Sequence, residues 1–462
     1  MAGDDMRMML LNDEDPSGMH YSERTDEDEE AVAPPGDVAA ATKSDPPTII
    51  NITYDMNLPM THSYLGDDLE EVSGRAILEE DTCVNVLLMS MPDVILVPGQ
   101  ILPLKLFQHR LVSLMKHIIM QRDKIFGMVA YSAAMPVHAS VGTLAEVYSY
   151  KEDADTLFET LCVKAMGRQR FRIQETWRQA DGNILAKVRI LPEITLPDFL
   201  EGARPDSWRK FNIAPLRAGS KARMSWSEGD GFYLQLKSTY RKYDRLASAI
   251  LTSWPRWVYK QYDTNHLVAA IKKELRSWNE MINVDNLPID PAMLSYWVTA
   301  NLPLEDATRL EMLTINSAVQ RLRALLAILL KCSVLRCSEC RADIAGKRDV
   351  FSMSLGGPMA AYVNPGGHVH EMITVIAARN LHLVGGPSTE NSWFPGYAWT
   401  ILNCRGCHQH MGWKFTDVSG DRRLEPHQFW GLCRGSLVPG LSRPGNADND
   451  DADDNDGVVY VM

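Results

Sequence analysis

Two Cys-x-x-Cys pairs, Cys337/Cys340 and Cys404/Cys407, have the spacing at which thiolates close on one tetrahedral zinc ion. Two intervening residues let a tight turn aim both sulfurs at the same point, and two such turns complete a four-sulfur shell. A closed shell leaves no coordination position for a substrate, so the expected role of the Zn²⁺ is structural. The knuckles lie 63 residues apart, far beyond a compact ribbon, and the metal must therefore staple distant segments. Cys404-Arg405-Gly406-Cys407-His408 also has the haem-attachment spacing. That reading needs an exported protein and leaves Cys337 and Cys340 without a task. The other four cysteines, Cys83, Cys162, Cys332 and Cys433, read as apolar fillers.

Three indoles surround the second knuckle. Trp399 stands five residues before Cys404, Trp413 six after Cys407, and Trp393 heads Ser392-Trp393-Phe394-Pro395-Gly396-Tyr397, whose Pro-Gly makes a turn. A metal-fixed hairpin would hold Trp399 and Trp413 on adjacent strands. Three indoles clustered in turn-rich sequence are costly to hide, which favours a binding pocket over a core. Indole faces exclude water around a flat ring, and backbone groups near Ser392 and Trp393 are available to pair with the polar edge of a ligand. Indole cages also suit quaternary ammonium, and Glu390 could face such a cation, so a stand-alone reader of methylated ammonium groups is the alternative function.

The elements that must position these residues divide at about Cys332. From Cys83 to Pro192 the chain shows short β-rich runs, Val94 to Val97, Ile125 to Tyr131 and Ile184 to Leu191, punctuated by Pro98-Gly99, Gly142 and Gly182. This pattern predicts a small curled β-domain with one helix, Gln108 to Arg122. From Tyr240 to Asn283 apolar residues recur at helical spacing, including Leu267, Ala270, Ile271, Leu275 and Trp278. A further helix is predicted from Leu304 to Leu330, with Leu310, Leu313, Val319, Leu322, Leu326 and Leu329 as its stripe. After Cys332 short strands and turns return. The fold class is α+β and multidomain.

Charge is placed unevenly. The net charge is −12, with 13 acids against 3 bases in residues 1–48 and 6 acids against no base in residues 444–462. Both tails are expected to be disordered and solvating. What remains is close to neutral, which argues against nucleic acid as a partner. No signal peptide or bilayer-spanning run is visible, so the expected setting is cytoplasm and nucleus, with no membrane insertion. There the cysteines stay reduced and their spacing reports metal chemistry.

Enzyme signatures fail one by one. Gly346-Lys347 is followed by Arg348 and has Arg341 where a phosphate loop needs its first Gly. His370-Glu371 begins a zincin-like motif, yet Thr374 occupies the place of the second histidine, and no Gly-x-Ser-x-Gly elbow appears. No catalytic residue is assigned.

Two resemblances follow from longer strings. Pro98-Gly99-Gln100-Ile101-Leu102-Pro103-Leu104, Gly142-Thr143-Leu144-Ala145-Glu146 and Gly167-Arg168-Gln169-Arg170-Phe171 are similar to the N-terminal substrate-recognition domain of Lon proteases, whose ATPase and peptidase modules are absent here. Gly356 to Pro365, Pro387 to Glu390, Trp393 to Trp399, Gly412 to Phe415 and Phe429 to Leu432 resemble the cereblon family, over about Tyr64 to Leu441. That resemblance implies a Lon N-terminal-like domain at 86–331 and a mostly-β zinc domain at 332–439 that binds glutarimides and C-terminal cyclic imides on proteins. It implies a cage of Trp393, Trp399 and Trp413, floored by Phe415, with Asn364 and Pro365 on a facing loop and Glu390, Asn391 and Ser392 beside it. It also implies a substrate receptor of a cullin-RING ubiquitin ligase. The helical region at about 192–285, with Trp254, Arg256, Trp257 and Tyr259, would dock the DNA damage-binding protein 1 adaptor. Aromatic and Arg anchors are typical of buried interface centres. Asn391 and Gly366 replace histidines of the family pattern, and Ile401 stands where a Val also occurs.

Overall fold

The computed structural model describes residues 52–441, apart from 67, 73–76, 93, 133–134, 154–158, 195–253, 280–281, 283, 419 and 421–423. Both acidic tails, and most of the expected adaptor region, lie outside the described residues.

The first half is built on a ring of strands. β2 (Cys83–Pro92), β4 (Ile125–Ser132), β6 (Val141–Asp153), β7 (Thr160–Arg178) and β8 (Ile184–Ile190) pair in the order β6-β4-β2-β8-β7, and β6 pairs again with β7 to close the circuit. Closure removes the exposed edges of an open sheet. β1 (Glu70–Glu71) joins β6, β3 (Ile101–Leu106) joins β7, and β5 (Met135–His138) joins β4. The helix α2 (His109–Met120), which follows the short α1 (Leu58–Thr61), buries Val112, Met115 and Ile118 against the barrel's apolar interior. Val94 to Val97 is not a strand. Its residues are buried without a ladder, and Gly167 sits so close that a Cβ there would come within 2.4 Å of Val97 O. Gly142 does not break a strand either; it lies inside β6, where a Cβ would meet Met128 O at 2.4 Å. Gly182 does mark a turn, at φ +81°.

Helices follow as α3 (Arg256–Lys260), α4 (Thr264–Trp278), α5 (Pro291–Asn301), α6 (Asp306–Thr314) and α7 (Ala318–Lys331). The Asp263 carboxylate caps α4, and the Asp290 carboxylate caps α5 ahead of Pro291 at its first position. The single helix expected from Leu304 to Leu330 is two, broken at residues 315–317. The break has a physical cause. The fully buried Arg170 donates to the carbonyls of Leu313 and Ile315, and Arg321 donates to the Ile315 carbonyl, so these acceptors serve guanidiniums and not a helical ladder. Both arginines also pair with Glu193.

The second half holds two sheets. β9 (Cys332–Cys337) pairs with β10 (Asp343–Gly346) and with β17 (Leu437–Leu441). The larger sheet runs β11 (Met359–Val363), β12 (Val369–Val375), β16 (Gln428–Cys433), β15 (His410–Asp417), β14 (Tyr397–Cys404), β13 (Leu381–Ser388). Phe351, Phe394, Phe415, Phe429 and Tyr397 pack as its aromatic core. Gly412 permits the closest strand approach: at φ +133°, a Cβ would lie 2.1 Å from Gly431 O. Gly412→Ala is expected to destabilise the protein by about 2–3 kcal/mol, read from urea unfolding.

Candidate metal centre and aromatic cage

Each Cys-x-x-Cys forms the turn of a hairpin, and the two turns share one geometry. Cys337 N–H donates to Ala342 O and Arg341 N–H to Cys337 O; Cys404 N–H donates to Gln409 O and His408 N–H to Cys404 O. The residue after each second cysteine is left-handed, Arg341 and His408 both at φ +61°. The four sulfurs come within 4.8 Å of one another, with Cys337 to Cys407 at 3.6 Å and Cys340 to Cys404 at 3.5 Å. A tetrahedron of sulfurs about 2.3 Å from zinc has edges of about 3.8 Å, so the donor set fits. Burial disfavours the Cys404 thiolate, but the N–H groups of Cys407 and Gly406 outweigh it and bring the thiol down to about 7. Residues 337 and 340 belong to the β9–β10 hairpin and 404 and 407 to β14–β15, so the zinc staples the three-stranded sheet to the six-stranded one. Cys162, Cys332 and Cys433 are buried as expected, whereas Cys83 is exposed, at the start of β2, where its Sγ lies 3.5 Å from Gln174 Oε1.

The cage is set by strand register. Trp399 pairs across β14–β15 with Phe415, and Ile401 with Trp413. Residues two apart share a face, so these two cross-strand pairs form one apolar surface. Trp393 closes it from the β13–β14 connection, anchored by its Nε1–H donating to Val363 O at 3.1 Å. Trp393 and Trp413 meet edge-to-face at 4.8 Å, and Tyr362 stacks behind Trp393 at 5.3 Å. Trp399 Nε1–H donates to Glu390 O at 2.8 Å, which holds that indole upright at the opening.

Asn364, Pro365, Glu390, Asn391, Trp393, Trp399, Ile401, Trp413 and Phe415 enclose a cavity of about 380 Å³. Of the residues expected here, only Ser392 does not line it. Its hydroxyl donates to Phe394 O, and its N–H closes a turn on Thr389 O at 3.3 Å. Asn391 has φ +51°, a conformation that asparagine tolerates better than most side chains, which gives a local reason for its presence. The lining itself carries few polar groups. Behind Trp413 stand His370 and His410, at 5.1 and 4.8 Å, and burial lowers the pKa of both, His370 to about 4. They are neutral at physiological pH, so neither puts a positive charge behind Trp413.

Glu371 escaped the sequence reading. It lies on strand β12, not on the helix that a zincin needs, and Thr374 gives its hydroxyl proton to Phe351 O. The buried Glu371 carboxylate accepts from Gln100 Nε2 at 2.7 Å, Arg309 Nη1 at 2.5 Å and Arg434 Nε at 2.6 Å. Burial opposes its ionisation, but the charges of Arg309 and Arg434 outweigh that and hold its pKa at about 2. The only local hint was His370-Glu371 itself, which pointed to a different chemistry.

On α3 and just before it, Trp254 and Trp257 are exposed by 63% and 54%, Tyr259 is half-buried, and the Arg256 side chain lies outside the described residues. Among the described residues no helix is long and apolar enough to cross a membrane.

Fold and site together define a two-part chain: a Lon-type substrate-binding domain joined to a zinc-stapled β-domain that carries an aromatic cage. The ATP-dependent protease La (LON) substrate-binding domain family matches residues 85–331, and the Yippee zinc-binding/DNA-binding /Mis18, centromere assembly family matches residues 333–437. Protein cereblon of Xenopus tropicalis is 45% identical over 92% of this chain and 92% of its own length. The Gallus gallus protein is 44% identical over 86% and 87%, and that of Danio rerio 44% over 85% and 89%. The chain belongs to the cereblon family.

Proposed function

We propose that this chain is the non-catalytic substrate receptor of a cullin-RING E3 ubiquitin ligase, working in cytoplasm and nucleus. The zinc domain, residues 332–439, takes a C-terminal cyclic imide or a glutarimide compound in the cage. The Lon-like domain, residues 86–331, carries the adaptor through its helical region at about 192–285. Other subunits transfer the ubiquitin. The observation that carries this reading is the cage itself: three indoles and Phe415 around a space of about 380 Å³. That space suits a flat uncharged ring whose one polar edge meets backbone groups beside Trp393.

Each protein side chain has a distinct task in such a complex. Trp393, Trp399 and Trp413 exclude water from the ring, and Phe415 supports its buried end. Asn364 and Pro365 close the facing side. Asn391 acts through its left-handed backbone, which sets the direction of the segment entering Trp393.

Glu390 at the cavity wall is the one observation that favours the rival, a reader of methylated ammonium groups. Calorimetry separates the two. Glutarimide is expected to bind, trimethyl-lysine is not, and Trp399→Ala is expected to weaken glutarimide at least about tenfold, as for a buried aromatic anchor. Binding of the cation alone would end the imide reading. The ligase assignment has its own test: recovery of the DNA damage-binding protein 1 adaptor on the native chain, lost in a Trp254→Ala/Trp257→Ala double variant. Ile401 lines the cavity, so Ile401→Val is expected to change recruitment of a third protein to the ligand-bound mouth more than it changes ligand affinity itself. Equal recruitment by both forms refutes that role for Ile401.

A further inference from the structure

A second cavity, of about 190 Å³, lies between the two family domains and shares no lining residue with the cage. Its walls come from α5 (Met293, Trp297, Ala300, Asn301), the turn at Pro98-Gly99, the loop at Ser354 and Gly356 with the start of β11, and Pro59, Met60 and His62. It is mostly apolar and exceeds the roughly 150 Å³ that suffices to take benzene in an engineered protein cavity. Met60 and Met293, 37% and 42% exposed, stand at its opening with side chains that adapt easily.

The polar atoms around it are largely committed. Trp297 Nε1–H donates to Gly356 O, Asn301 Oδ1 accepts from Met359 N–H, and Asn301 Nδ2 donates to Trp297 O. Gln100 is held by Glu371, Arg309 and Val97. His62 differs. Its side chain is 3% exposed, its Nδ1 lies 2.8 Å from the Tyr64 hydroxyl, and its Nε2 has no hydrogen-bond partner among the described residues. Nor is Nε2 sealed within protein, since it is not among the fully buried unpaired atoms. Tyr64 Oη already accepts from Val363 N–H, so its own proton is best placed on His62 Nδ1. That leaves the hydrogen of the neutral ring on Nε2, an uncommitted donor on a residue that lines the cavity. Burial lowers the His62 pKa to about 3, in keeping with a neutral ring.

We propose that this seam cavity is a second ligand site, taking a small, flat, uncharged molecule whose single carbonyl oxygen accepts from His62 Nε2–H. Its ligand class is that of aryl ketones and aryl amides of about nine heavy atoms. Because the walls belong to both family domains, occupancy holds them together, and the ligand raises the melting temperature in a concentration-dependent way.

The test uses the full chain with zinc bound. Acetophenone is the probe, and α-methylstyrene, which replaces C=O by C=CH₂ at nearly the same shape, is its control. Affinities are measured by ligand-observed NMR titration for the native protein, for His62→Leu, and for Ala300→Leu, which narrows the cavity. Acetophenone is expected to bind the native protein and to stay bound when glutarimide saturates the cage. His62→Leu is expected to weaken acetophenone at least tenfold and α-methylstyrene less than threefold, while Ala300→Leu weakens both. Absence of acetophenone binding, displacement by glutarimide, or an equal loss of both probes in His62→Leu overturns the proposal. If His62→Leu does not fold, the imidazole Nε2–H resonance of His62 in the native chain decides: it must move downfield, as a hydrogen bond to C=O requires, with acetophenone and not with α-methylstyrene, and no such difference overturns the proposal.

Discussion

Removing zinc with a strong chelator, or replacing Cys404 by Ser, is expected to unfold the second half of the chain and to abolish binding in the aromatic cage. The magnitude follows from comparing two energies. Closed four-ligand zinc sites contribute on the order of 10 kcal/mol, and a domain's whole stability is only about 5–15 kcal/mol. The metal joins the β9–β10 turn to the β14–β15 turn, and β14 and β15 carry Trp399, Ile401, Trp413 and Phe415. Without it the register that aligns these side chains loses its anchor. Near-ultraviolet circular dichroism reads the indoles directly, and re-addition of zinc to the chelated protein is expected to restore both signal and binding. A chelated protein that still binds glutarimide at native affinity refutes the structural role.

Glu371→Ala is expected to cost about 3–5 kcal/mol, because it takes the only ion-pair partner of the buried Arg309 guanidinium among the described residues and leaves the neighbouring Arg434 to its pair with Asp306. The three side chains tie the first half, through Gln100 and helix α6, to strand β12 and to Arg434 just beyond β16. The same carboxylate predicts a pH dependence. Its folded pKa, about 2, lies below its unfolded value, about 4.3, so the stabilisation is fully present above pH ~5. It is lost as pH falls from there through 2, amounting to about 3 kcal/mol. Urea unfolding between pH 7 and pH 3 captures about half of this loss, the rest falling below pH 3, and Glu371→Gln is expected to flatten the acid limb. A variant with the native acid profile would show that other carboxylates set it.

Much of the site was legible before any fold was known. Cys-x-x-Cys encodes a knuckle locally, because the turn that aims both sulfurs is built from the intervening residues themselves. Trp399 and Trp413 were placed on adjacent strands by their distances from the second knuckle, and the register Ile401 to Trp413 agrees. Ser392, expected beside the cage, does not line the cavity, and its hydroxyl serves Phe394 O. The helix expected through Leu304 to Leu330 satisfied the periodicity yet breaks at 315–317, where Arg170, from a barrel strand, takes the carbonyls.

The amino-acid sequence by itself determined the zinc ligands, the cage tryptophans and the α+β division at Cys332, since each rests on spacing within one hairpin or one helix face. Only the tertiary structure decided the closed barrel, the Glu371 network and the cavity beside His62. Gln100 and Glu371 meet across 271 residues. A contact of that span leaves no periodicity behind it, because burial and charge pairing are set by which segments pack together and not by their neighbours along the chain.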